Sequence, residues 1–308
     1  MDRIFNGSDL NQKTIFDHPS GLFVLFFTEM WERFSYYGMR AILVLFLTSS
    51  IMNEGWGWER QDALELFAAY TSLVYLTPLL GGILADKFLG YRNAVVMGAL
   101  IMALGHGSLA LEGIEQNFFY LGLGLLVIGN GLFKPNISSI VGQLYKVDDI
   151  RKDGAYTIFY MGINAGAFLG ILLCGYLGEK VGWHYGFGLA GIFMFFGMLQ
   201  FYFAQGIFGS IGVKPINKSN TSNYNENTVK ASANTNLKKI ERDRIFVIVI
   251  FSIATIFFWW AFEQAGGSMT IFANDYTDRE LSGNSAVIFN TINTIITIVP
   301  MVVITYVL

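Results

Sequence analysis

Charge is scarce in this chain. Asp, Glu, Lys and Arg make up 14% of its 308 residues, where a soluble domain carries about 25%. Cysteine is nearly absent: Cys174 stands alone, so no internal disulfide forms, and its apolar surroundings make it a small packing residue. Histidine is equally sparse. His18, His106 and His184 are scattered without ligand spacing, so no metal site and no cofactor is expected. His18 and His184 read as interfacial and His106 as packed. There is no phosphate-cradling loop of the Walker type, which argues against ATP-driven work. No nucleophile–base constellation is present either, so the chain is not read as an enzyme. The net charge is −3 and the basic residues have no stacking platform beside them, which leaves no nucleic-acid partner. Strict alternation over about ten residues, the mark of a membrane β-barrel, is missing. So is a signal-peptide pattern at the N-terminus, so the first helix is expected to be retained.

What remains is grease: 53% hydrophobic and 16% aromatic residues. Eight apolar spans are predicted, at 21–49, 64–84, 93–111, 118–140, 155–178, 187–208, 245–270 and 286–308. The fold class is therefore an all-α membrane protein embedded in a lipid bilayer. Polar residues dominate from Gly209 to Asp243, including the stretch from Asn217 to Asn227, which cannot build a core. The predicted organisation is a six-helix bundle over 1–208, a flexible cytoplasmic linker over 209–243, and the first two helices of an incomplete second bundle over 244–308. Of 20 Lys and Arg, only Arg60, Lys180 and Arg279 fall in outer loops if the N-terminus is inside. That bias predicts a multi-pass protein of an inner, plasma-type membrane with a cytoplasmic N-terminus.

Charges also occur inside the spans. Glu29, Glu32, Arg33, Tyr36, Tyr37 and Arg40 follow i, i+3, i+4, i+7, i+8, i+11, which is one stripe of an α-helix. Each charge at mid-bilayer costs about 2.5–3.5 kcal/mol on an insertion scale. The stripe must therefore face protein or a water-filled cavity.

Further motifs were weighed against plainer explanations. Gly81-Gly-Ile-Leu-Ala-Asp-Lys-Phe-Leu-Gly-Tyr-Arg92 joins spans two and three. Gly82 and Gly90 allow close approach, and Asp86 can accept from a helix end and pair with Arg92; the plainer reading is a basic inner loop. Lys134 precedes Pro135 in span four, which points to a cavity unless Lys134 snorkels to the interface. Gly162, Gly166 and Gly170 repeat every four residues for tight helix packing. Packing explains Asn164 less well, because an amide in lipid needs a partner, which points to a cavity role. In span seven Trp259 and Glu263 share a face, either as a pocket wall or as an outer aromatic belt with a solvated acid.

Together these motifs resemble the proton-dependent oligopeptide transporter family of the major facilitator superfamily. Its first-helix signature, Glu-x-x-Glu-Arg-Phe-x-Tyr-Tyr, is complete in Glu29, Glu32, Arg33, Phe34, Tyr36 and Tyr37. The Phe-Tyr-x-x-Ile-Asn-x-Gly run of span five and the Phe-Glu-Gln of span seven match as well, as does the loop between spans two and three. The resemblance implies the superfamily fold, with a complete N-terminal bundle and a C-terminal bundle truncated after about two helices. The family's acidic residue on its tenth helix would lie beyond Leu308, and the linker is too short and polar for two extra helices.

The resemblance also implies roles. Arg33, Arg40 and Lys134 would hold a peptide carboxylate, with Tyr37, Tyr75 and Asn164 on the peptide backbone and Trp259 lining a side-chain pocket. Glu29, Glu32, Arg33 and Glu263 would couple protons. Tyr70 competes with Tyr75 for its place. The expected function is proton-coupled symport of di- and tripeptides by a monomer. The rivals are symport of another small anionic solute, such as nitrate or a conjugated acid, and a peptide receptor that does not transport.

Overall fold

The computed structural model describes residues 14–146, 148–213, 235–278, 281–292 and 294–295. A minimal antiparallel hairpin, β1 (Thr14–Ile15) and β2 (His18–Pro19), leads into the first helix. The helices are α1 (Ser20–Thr48), α2 (Arg60–Leu84, ending in a π turn at Ala85–Leu89), α3 (Tyr91–Leu109), α4 (Gln116–Gln143), α5 (Arg151–Lys180) and α6 (Trp183–Ala204). These are followed by α7 (Thr235–Glu263) and α8 (Ser268–Tyr276), and residues 283–292 are helical.

Five of these helical segments are long and apolar enough to cross a bilayer: Arg60–Leu89, Gln116–Gln143, Arg151–Lys180, Trp183–Phe208 and Arg242–Gly266. The chain is an all-α, multi-pass membrane protein. Helix α1 falls short on composition because of its own charges, yet it is the most buried helix and lies at the centre of the bundle. It packs on α5 and α6, while α4 packs on α2 and α3. At one end an aromatic cluster closes the core: Phe46 contacts Phe187 at 5.5 Å between ring centroids, and Trp56 contacts Phe119 at 4.6 Å.

The glycine stripe of α5 lies against the backbone of α1. A Cβ at Gly166 would collide with the Met30 carbonyl, and one at Gly170 with the Phe34 carbonyl. Gly38 of α1 answers from the other side, because a Cβ there would sit 2.6 Å from Cys174 Sγ. Only small residues permit this separation. Cys174 is buried and packs, as its apolar setting implied. His106 is buried too, and His18 Nδ1 lies 2.8 Å from the Tyr145 hydroxyl.

Several details differ from expectation. Arg92 does not pair with Asp86. It donates to the Gln205 carbonyl at 2.9 Å and the Gly209 carbonyl at 2.7 Å, so a cation satisfies the orphan carbonyls at the end of α6. Asp86 is exposed and faces Tyr91. In the same motif the close approach belongs to Gly81, which abuts the Gly131 carbonyl of α4; Gly82 has only an ordinary contact with Pro135 at 3.8 Å. Pro135 has no N–H to offer that carbonyl one turn back, yet α4 runs through it unbroken. Gly90 has φ of 77°, which a side chain would strain, and it reverses the chain between α2 and α3. The seventh span breaks at Gly266–Gly267, which separates α7 from α8. Helix α7 already starts at Thr235, within the stretch read as a linker; residues 214–234 of that linker, and most of the eighth span, lie outside the described residues.

Candidate functional site: a charged cluster between α1, α2, α4 and α7

Helix α1 places four charges in the bundle. Glu29 is 3% exposed, Glu32 0%, Arg33 3% and Arg40 7%. The Arg33 Nε lies 3.1 Å from Glu29 Oε1 and also pairs with Glu32. One guanidinium nitrogen thus holds two carboxylates. Its plane also lies over Tyr36, 5.2 Å from the ring centroid, and over Tyr37 at 6.0 Å. Removing either partner from such a buried pair strands a charge, which typically costs about 3–5 kcal/mol.

Two turns further on, Arg40 donates to the Tyr36 hydroxyl at 3.3 Å and forms an ion pair with Glu263 of α7. The Phe67 ring of α2 lies 5.0 Å from its guanidinium carbon. Tyr75 of α2 donates to the second oxygen of Glu263 at 3.1 Å. The same Tyr75 faces Trp259 at 6.2 Å and carries the Lys134 ammonium over its ring at 4.9 Å. Tyr75 therefore joins α2, α4 and α7, while Tyr70 is buried on the bundle side. Lys134 is half-buried and turned towards this cluster.

Two cavities meet at Glu263. One of about 1040 Å³ lies between α2 and α7 and is lined by Tyr75, Trp259 and Phe67 among others. The other, of about 450 Å³, is lined by Tyr37, Arg40, Ile171 and Phe262. Asn164 is exposed on α5 and is not joined to the cluster by a hydrogen bond. At the N-terminal end of α2, Arg60 forms an ion pair with Asp275 of α8.

Asn130 belongs to the cluster and was not singled out from the sequence. It is 1% exposed, and its amide donates to Glu32 Oε1 at 3.3 Å. The signal was present: Asn130 lies one turn before Lys134 on the same face of α4. Among the described residues, Glu29 Oε2, Arg33 Nη2, Arg40 Nε and Asn130 Oδ1 are buried without a hydrogen-bond partner. Buried polar atoms are rarely left so, and each calls for an explanation. The unsatisfied atoms of Glu29, Arg33 and Arg40, one acceptor and two donors, suit a zwitterion, which brings both signs of charge. Among the described residues no cluster of His, Cys, Asp and Glu could hold a metal ion.

The model of the POT family matches residues 92–224. A relative described as "Peptide transporter YePEPT", from Yersinia enterocolitica, is 38% identical over an alignment of 322 residues, covering 88% of this chain and 63% of that protein. The chain belongs to the POT family. A di-/tripeptide transporter of Lactococcus lactis subsp. cremoris is 42% identical, over 67% of this chain and 42% of its own length. Among solved structures, a POT carrying E310Q in complex with alafosfalin aligns with a TM-score of 0.67 at 38% identity, covering 83% of this chain and 50% of that one. A POT family transporter in complex with a thioalcohol conjugated peptide aligns with a TM-score of 0.64 at 32% identity, covering 87% and 52%. The chain spans less than two thirds of the length of these relatives.

Proposed function

We propose that this POT family chain is part of a proton-coupled symporter that imports di- and tripeptides by alternating access. The observation that carries the reading is the Arg33 guanidinium shared by Glu29 and Glu32, with a buried Nη2 left free. Protonation of either carboxylate frees part of Arg33. The freed donor then takes the substrate carboxylate, where a charge-assisted hydrogen bond is strong. Glu29, Glu32, Arg33 and Glu263 carry or relay the proton in this scheme. Arg33, Arg40 and Lys134 hold the carboxylate, Tyr37, Tyr75 and Asn164 contact the backbone, and Trp259 walls the side-chain pocket. The inward proton gradient supplies about 2.3 kcal/mol per charge per 100 mV. The six-helix bundle and the helices from α7 onward then rock about the site. The protein acts as a monomer in an inner membrane with its N-terminus in the cytoplasm, an orientation supported by the excess of Lys and Arg on that side.

A relative solved with sulfate is the reason to test one rival, symport of another small anion. Uptake of labelled dialanine by the full-length protein in proteoliposomes separates the readings. Accumulation under an inward proton gradient, abolished by a protonophore, is expected. Binding without accumulation would turn the reading into a receptor, and indifference to dialanine with gradient-driven uptake of an anion would favour the rival.

A further inference from the structure

We infer that Asn130 positions the proton-binding carboxylate, donating to Glu32 when that acid is ionised and turning its amide over to accept from Glu32 when it is protonated. The inference rests on the transport reading for its meaning and on geometry for its content. The Asn130 amide nitrogen donates to Glu32 Oε1 at 3.3 Å, and the other end of the amide, Oδ1, is buried with no partner among the described residues. Asn130 is 1% exposed, so bulk solvent does not reach it as it would at a surface.

Packing does not account for this side chain. Leucine has nearly the same shape and would leave no orphan atom. An amide, unlike a hydroxyl or an amine, carries a donor and an acceptor that exchange places on a half turn of one torsion. A carboxylate offers only acceptors, whereas a carboxylic acid offers one O–H. The two states of Glu32 therefore need the two faces of Asn130. The proton binds and leaves Glu32 Oε1, and Asn130 itself gains and loses none.

The surroundings fit a switch. Glu29 and Arg33 face Glu32 from α1, Lys134 from the next turn of α4, and Tyr70 from α2. Asn130 and Lys134 lie one turn apart on α4, so a change of bond at Glu32 reaches the half-buried lysine through one rigid helix.

The test uses the full-length protein in proteoliposomes, with two readouts. Asn130→Leu should lower gradient-driven dialanine accumulation at least tenfold and leave dialanine counterflow within twofold; Asn130→Gln, which keeps the amide, should recover at least half of the driven uptake. In pH-difference infrared spectra, the protonated-carboxyl band that disappears in Glu32→Gln should shift in Asn130→Leu and move back in Asn130→Gln. Should Asn130→Leu not fold, Asn130→Ala, which also lacks the amide and adds no carboxyl, carries the same infrared test. An unshifted band, or equal loss of driven uptake and counterflow, overturns the role. If the wild type accumulates no dialanine, the transport reading fails while the infrared band still decides the role of Asn130.

Discussion

Arg40 of α1 and Glu263 of α7 are 223 residues apart in sequence and form an ion pair in which Tyr75 of α2 donates to the second carboxylate oxygen at 3.1 Å. This contact fastens α7 to the six-helix bundle. Arg40 is buried and Glu263 is partly exposed, so removing the acid strands a largely desolvated guanidinium, and Glu263→Gln should shift the protein towards states in which α7 stands away from α2. Spin labels at Gln61 and Tyr276 would report it as a longer distance distribution. The exposed pair Arg60–Asp275 is of the kind that contributes about 0–1 kcal/mol, so Asp275→Asn should move the distribution much less. Equal effects of the two variants would show that Glu263 is not the fastening.

The carboxylate pair on α1 predicts an uncoupled variant. Glu32→Gln keeps the shape and the bond to Asn130 but takes no proton. Gradient-driven dipeptide uptake should fall to background, and exchange of internal for external peptide should persist. Normal accumulation by this variant would remove Glu32 from the proton path.

Lys134 predicts a dependence on substrate charge. A charge-assisted hydrogen bond is worth about 1.5–3 kcal/mol. Lys134→Ala should therefore weaken binding of a dipeptide by ten-fold or more and that of its C-terminal amide by less than three-fold, measured by competition with a labelled peptide. Parallel losses would mean that Lys134 does not read the carboxylate.

The α1–α5 contact predicts a contrast between glycines on one helix. Gly166→Ala places a Cβ against the Met30 carbonyl and should lower the melting temperature in detergent. A Cβ at Gly175 meets nothing within 4 Å, so Gly175→Ala should be neutral or stabilising by up to about 1 kcal/mol through helix propensity. Identical melting temperatures for the two variants would contradict the tight contact.

What was legible in the sequence was whatever a helix repeats. The α1 stripe and the α5 glycines both follow its period, and both turned inward as their spacing required. What was hidden depended on partners far along the chain. Arg92 was matched with Asp86 because they are neighbours, but its acceptors are the carbonyls of Gln205 and Gly209, and a backbone carbonyl leaves no mark in a sequence. The bond that Asn130 makes leaves its own helix, and its acceptor Glu32 lies 98 residues upstream. Tyr70 and Tyr75 could not be told apart by pattern. In the structure Tyr75 donates to Glu263, whereas Tyr70 is buried on the bundle side.

The glycine stripe of α5 has a mechanical consequence. With Gly162, Gly166 and Gly170 pressed on the backbone of α1, the two helices sit at a separation that larger residues would not permit. If the proposed release of Arg33 tilts α1, that contact would carry α5 with it. Asn164, which stands apart from the charged cluster in this structure, would then move with carboxylates it does not touch.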